Sequence, residues 1–140
     1  MIRVLIDTNV ILDWLVRRER FLTDAQAVLA LVEQNLVMGH FAAITISNAY
    51  YIARPPAGAE AARILVAEIR RFGQIVPLLD DVIDTALALP FEDFEDAVQA
   101  ASAVLVEADW IITRNGKDFA RSPVPAITPS AFIDRLLKDI

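Results

Sequence analysis

Residues 2–16 read IRVLIDTNVILDWLV, a stretch whose hydrophobic period changes partway along. Residues 3–6 form a short apolar run that stops at Asp7, which predicts a buried strand opening into a helix. From Val10 the apolar residues recur at helical spacing, with Asp13 and the cluster Arg17, Arg18 and Arg20 placed outward. A strand with no polar face is one covered on both sides, as in the parallel sheets of α/β proteins.

The same alternation continues along the chain. Thr23 with Gln26 predicts a capping box for a helix over 24–34, and a second short strand follows at 36–39. Residues 44–54, ITISNAYYIAR, suit strand or helix by composition; the spacing of Ile44, Ser47, Asn48 and Tyr51 favours helix. Pro55, Pro56 and Gly58 predict a loop, after which 59–72 is an amphipathic helix closed by Gly73. Further strands are predicted at 75–78 and 110–113, with an edge strand at 125–128. Between them lie a short helix after Asp80, a helix opened by the acidic stretch 92–96 and running to about Ala108, and the turn 114–119. Thr128 caps a last helix with Pro129 at its first position. The expected fold is a three-layer α/β/α arrangement around a central parallel sheet of four to five strands, one domain spanning 1–140.

Composition narrows the chemistry. With 140 residues, 56% of them hydrophobic, and only 4 glycines, a packed core is expected and disorder is not. A net charge of −6 argues against a broad basic nucleic-acid surface, though not against a local basic rim around an acidic centre. Without cysteine there is no disulfide, thiolate metal site or cysteine nucleophile, and a lone histidine, His40, fits a structural role better than ligation. Charges interrupt every apolar run before about 18 residues, and the N-terminus reads as strand and helix, not as a signal peptide; a cytoplasmic location is expected.

In open parallel sheets, ligands gather at the carboxyl ends of the strands. Two predicted strands end there in polar residues: one runs into Asp7, Thr8 and Asn9, the other into Arg114 and Asn115. A right-handed crossover would start the acidic helix carrying Asp96 on the same edge. Carboxylates sharing a cleft must protonate or take a cation, and a hard divalent ion with oxygen ligands suits a chain without cysteine. Each residue also has a plainer role. Asp7 and Asp93 are candidate N-caps; Asp96 can complete a capping box or ligate, and spacing does not decide. Glu92 and Glu95 read as solvated neighbours, while Asn115 and Asp118 suit a turn. The arginines at 17, 18, 20, 70 and 71 read as solvated helix faces; Arg114, Lys117 and Arg121 flank the proposed cleft and are better placed for phosphate contacts. No dinucleotide fingerprint, Walker loop, nucleophile elbow or zincin motif is present, and Asn9 stands where a haloacid-dehalogenase-type phosphatase would want a second Asp.

LIDTNVILD, EDAVQAASA and IITRNGKDF, in that order, resemble the three signature blocks of PIN domains, most closely the small VapC-like proteins. The resemblance implies a Mg²⁺- or Mn²⁺-dependent endoribonuclease, often a toxin restrained by a small antitoxin, and a homodimer. Asp7 matches the first acid of the family and Asp96 the third; Asn115 and Asp118 share the variable last position. These residues would form the catalytic centre, with Asp7, Asp96 and Asp118 as metal ligands and Thr8, Asn9 and Arg114 orienting groups around it. The second acid, commonly Glu, is matched by Asn48, which brings no charge; Asp93 can restore it. A catalytically weak PIN-fold interaction module is the alternative, and cleavage of DNA instead of RNA is a second one.

Overall fold

A computed structural model describes residues 1–138, so the last two positions of the expected 1–140 span lie outside the described residues. Five strands form one sheet: β1 Arg3–Ile6, β2 Met38–Ala42, β3 Gln74–Val76, β4 Trp110–Ile112 and β5 Ala126–Ile127. All neighbours run parallel, in the order β3-β2-β1-β4-β5. The described helices are α1 Thr8–Leu15, α2 Glu19–Glu33, α3 Ala43–Ala57, α4 Ala59–Phe72, α5 Asp80–Ala88, α6 Phe94–Leu105 and α7 Pro129–Lys138, with a 3₁₀ turn over Gly116–Phe119.

Alternate residues of one strand enter different cores, which is why the strands read as continuous apolar runs. Val4 and Ile6 of β1 join Phe41 and Ile112 in a core with α1, α2, α3, α4 and α7. Leu5 and Ile111 face the opposite way, into a core with α5 and α6. The chain winds outward from β1 through β2 to β3, then crosses back to β4 on the other side of β1. Strand order reverses between β1 and β4, the switch point at which open α/β sheets build their binding crevices.

Several boundaries differ from the sequence reading. Thr23 does not cap α2, which already begins at Glu19 with Arg18 as its N-cap residue. Arg17, at φ 52°, turns the chain so sharply out of α1 that α2 starts a full turn early. Pro55 and Pro56 lie inside the last turn of α3 instead of in a loop. Their missing N–H groups leave only carbonyls on an exposed turn, where water can satisfy them. Gly58 then reverses direction at φ 89°, a conformation that favours glycine, and its N–H closes α3 on the Arg54 carbonyl at 2.8 Å. β2 starts at Met38, later than expected, and Gly39 lies inside it, where a Cβ would sit 2.7 Å from the Val32 side chain of α2. α6 ends at Leu105, not Ala108. Glu107 at φ 55° forms a Schellman turn with bonds from Glu107 N to Val104 O and from Ala108 N to Ala103 O. The same closure at Asn35, φ 60°, ends α2.

Candidate active site

Asp7 continues β1 by one residue, its N–H donating to the Ile112 carbonyl at 3.0 Å, and it is also the N-cap of α1. One carboxylate oxygen accepts from Thr8 N at 2.8 Å and the other from Thr113 Oγ1 at 2.8 Å. Thr113, the residue after β4, accepts in turn from Asn9 Nδ2 at 3.2 Å and from Asn115 N at 3.1 Å. Its hydroxyl is thereby fully used, one donation and two acceptances, and locks Asp7 in place. The Oδ1 of Asn9 accepts from the Arg114 N–H at 3.3 Å, so both switch-point strands are tied through their first polar residues.

Asp96 stands in the first turn of α6, and its N–H is capped by Asp93 Oδ1 at 3.0 Å. Asp93 is therefore the N-cap that its position suggested. Asp118 projects from the 3₁₀ turn, whose start is held by Asp118 N donating to the Asn115 carbonyl at 3.0 Å. Burial pushes the Asp7 carboxyl above the ordinary aspartate value against the pull of Thr113 and Thr8, with Glu95 and Asp118 adding repulsion. Asp96 is pushed up to about 6 by burial first, then by Asp93, Asp7, Asp118 and Glu95. Asp7, Asp96 and Asp118 thus act on one another although α6 and the 3₁₀ turn are about ninety and about a hundred and ten residues from β1. A cleft of about 340 Å³ opens between α6 and the 3₁₀ turn, lined by Phe91, Asp93, Asp96, Lys117, Asp118 and Arg121.

A family model described as PIN domain matches residues 3–117. The chain belongs to the PIN domain family. Its fold is that of solved toxin–antitoxin proteins. A chain of the Rickettsia felis VapBC2 complex bound to promoter DNA superposes with a TM-score of 0.72 at 14% identity, covering 91% of this chain and 98% of that one. A chain of a Klebsiella pneumoniae toxin–antitoxin complex gives 0.68 at 24% identity, covering 90% and 97%. A chain of DNA-bound VapBC from Salmonella typhimurium gives 0.72 at 14%, covering 92% and 99%. None of the curated proteins compared with the chain matches it.

Within this PIN fold, some residues stand elsewhere than the sequence suggested. Asp13 does not face outward: it is 1% exposed, and the Arg114 guanidinium grips it twice, Nε to Oδ2 at 2.6 Å and Nη2 to Oδ1 at 3.1 Å. Arg18 adds a contact at 3.2 Å, and the Phe21 ring lies 3.9 Å beneath the Arg114 guanidinium carbon. The Arg114 side chain is thus committed to Asp13, and its link to the acidic site runs through its backbone N–H. Asn48 of α3 donates to Glu95 Oε1 at 2.8 Å, and Glu95 is exposed, as the sequence reading has it. Gln99, one turn after Asp96, donates to Thr8 Oγ1 at 3.0 Å and Thr45 Oγ1 at 2.8 Å, joining α1, α3 and α6 behind the acids. Thr113 and Gln99 carried a faint sequence signal, each a lone polar residue closing or interrupting an apolar run.

Among the described residues, no three carboxylates or histidines stand close enough together to enclose a metal ion as they are placed. The donor set nonetheless has the chemistry of a hard divalent cation: carboxylate and amide oxygens that repel one another, with no thiolate available. His40 lies away from the acids, in β2 between Leu5 and Gln74, where burial lowers its pKa.

Proposed function

We propose that this PIN domain is a metal-dependent endoribonuclease and the toxin of a toxin–antitoxin pair. The observation that carries the reading is the mutual electrostatics of Asp7 and Asp96: two carboxyls raised by burial and by neighbouring acids at the switch point, with no cationic side chain paired to either among the described residues. Asp7, Asp96 and Asp118 would hold Mg²⁺ or Mn²⁺, which supplies Lewis acidity toward a phosphate oxygen and a more acidic water. Thr113 and the Thr8 N–H fix the Asp7 carboxylate, while Asp93 holds the helix turn that presents Asp96. Asn9 and the Arg114 backbone keep the two strand ends in register. Asn48, which donates to Glu95, and Asn115, whose carbonyl holds the turn that carries Asp118, would support the acids as neutral polar groups. Lys117 and Arg121, which line the same cleft as Asp96 and Asp118, would take flanking RNA phosphates.

The toxin role and an antitoxin partner are supported by the similar structures, which are toxin–antitoxin complexes. A homodimer and a cytoplasmic location rest on family resemblance; no described helix is long and apolar enough to cross a membrane. The test is cleavage of single-stranded RNA, with single-stranded DNA as competitor, in Mn²⁺. Cleavage should fall by about a hundredfold or more in Asp96→Asn with the melting temperature kept. Undiminished cleavage in that variant would remove Asp96 from the centre. One observation favours the rival reading of a binding module: Asn48 stands where an acid is common in the family and brings no charge. A protein that takes up no Mn²⁺ would support that rival.

A further inference from the structure

A second cavity, of about 280 Å³, opens beside the strand end after β4, between α2 and the start of α7. Its walls include Phe21, Asp24, Arg114 and Pro129, with the hydroxyl residues Thr128 and Ser130. Arg114 links it to the acidic centre: its backbone N–H meets Asn9, close after Asp7, while its side chain lines the cavity. That side chain is held in place. Two of its five N–H donors, on Nε and Nη2, grip Asp13, and its guanidinium carbon lies 3.9 Å from the centre of the Phe21 ring. No hydrogen bond or ion pair among the described residues uses its Nη1. Asp24 is half-buried in the same wall, and its carboxylate has no hydrogen-bond or ion-pair partner among the described residues either.

A fixed donor edge and an unpaired acceptor, beside flat apolar rings, narrow the choice of occupant. A phosphate would take the donors and be repelled by Asp24. An apolar side chain would bury the free N–H groups and the carboxylate without partners. A nucleobase offers faces that stack and edges that both donate and accept, which is how single-stranded RNA is read. Guanine sets two acceptors, O6 and N7, side by side for a guanidinium, and two donors, N1–H and N2–H, side by side for a carboxylate. No other RNA base carries both pairs. We infer that the cavity between α2 and α7 is a guanine subsite, holding a base that flanks the cleaved phosphate, with Arg114 and Asp24 reading its two edges. The inference rests on the ribonuclease reading for its place beside the cleaved bond, and it adds base selectivity to that reading.

The test is calorimetric binding, without metal, of single-stranded RNA hexamers to the full chain. Each hexamer is oligouridine carrying one guanosine, inosine, 7-deazaguanosine or adenosine. The guanosine hexamer should bind about tenfold tighter than the other three, as a matched base edge discriminates by about that much. Inosine lacks N2–H and 7-deazaguanosine lacks N7, so each probes one edge with the protein unchanged. Asp24→Asn, with its melting temperature recorded, should shrink the gap between guanosine and inosine and keep that between guanosine and 7-deazaguanosine. Equal binding of all four hexamers by the wild-type chain, or binding of none, would overturn the subsite. Cuts mapped in the guanosine hexamer with Mn²⁺ separate this from the nuclease reading, and they should cluster beside the guanosine. Cleavage at every linkage with equal binding would sink the subsite alone. Selective binding with no cleavage would sink the nuclease reading and leave the subsite.

Discussion

Asp7 and Asp13 lie six residues apart at the two ends of α1, and both are buried, at 7% and 1% exposure. Their surroundings are opposite. Asp13 is gripped by Arg114 and approached by Arg18, a compensated charge that fastens α1 to the strand end after β4. Asp7 has only a hydroxyl and an amide as donors, and the like charges of Glu95 and Asp118 add to the burial that raises its pKa. A buried carboxylate that the chain neutralises itself is architecture. In the proposed reading, one that it leaves among other acids takes its counter-charge from a cation outside the chain.

Exchanging the first acid for an isosteric amide breaks the comparison most severely. Asp7→Asn keeps an acceptor for the α1 cap and removes a charge that burial disfavours. It should lose RNA cleavage by about a hundredfold or more while the chain still folds, the Thr113 hydroxyl losing its acceptor as the buried charge is relieved. A variant that unfolds and still cleaves in proportion to its folded fraction would make Asp7 architecture too. The converse change, Arg114→Ala, leaves Asp13 buried with Arg18 alone and should lower unfolding stability by about 3 kcal/mol in denaturant melts. Mn²⁺ uptake by its folded fraction should persist, because the Arg114 N–H that meets Asn9 belongs to the backbone. Arg114→Lys should recover little, since it can neither grip both oxygens nor lie flat on Phe21.

The smallest effect is that of pH on the metal-free protein. The Asp7 and Asp96 carboxyls titrate higher in the folded chain than in the unfolded one, Asp96 at about 6. Between the ordinary aspartate value and that point the folded state binds the extra proton. The contribution of these two groups to stability therefore grows as pH falls from 7 toward 4 and is lost as pH rises through 6. Melting curves without metal should show that direction, and Asp96→Asn should flatten it. Mn²⁺ affinity should run the other way, falling below pH 6 as the ligands protonate.

How legible all this is in the sequence depends on the range of the interaction that decides each feature. The strands are legible because burial on both faces leaves an unbroken apolar run, as in Val4-Leu5-Ile6. Asp93 is legible as a cap because its bond spans three residues, and Thr128 likewise, accepting from Ala131 N at 3.2 Å. The small size of Gly39 is not explained by its own strand, since it answers to Val32 of α2. Asp13 looks like an outward acid because the arginine that neutralises it lies 101 residues away. Glu95 reads as solvated and is exposed; what the sequence hides is its bond to Asn48, 47 residues away on α3. The assignment of Asp7 and Asp96 to one site needed the family blocks as well as spacing, since local geometry makes a helix cap of one and a first-turn acid of the other.

The most direct measurement is the anomalous difference density of a crystal soaked in Mn²⁺ near neutral pH. A peak is expected among Asp7, Asp96 and Asp118, and none at Asp13, where Arg114 and Arg18 already supply the positive charge. A peak bound elsewhere, or none at saturating Mn²⁺, would contradict that assignment.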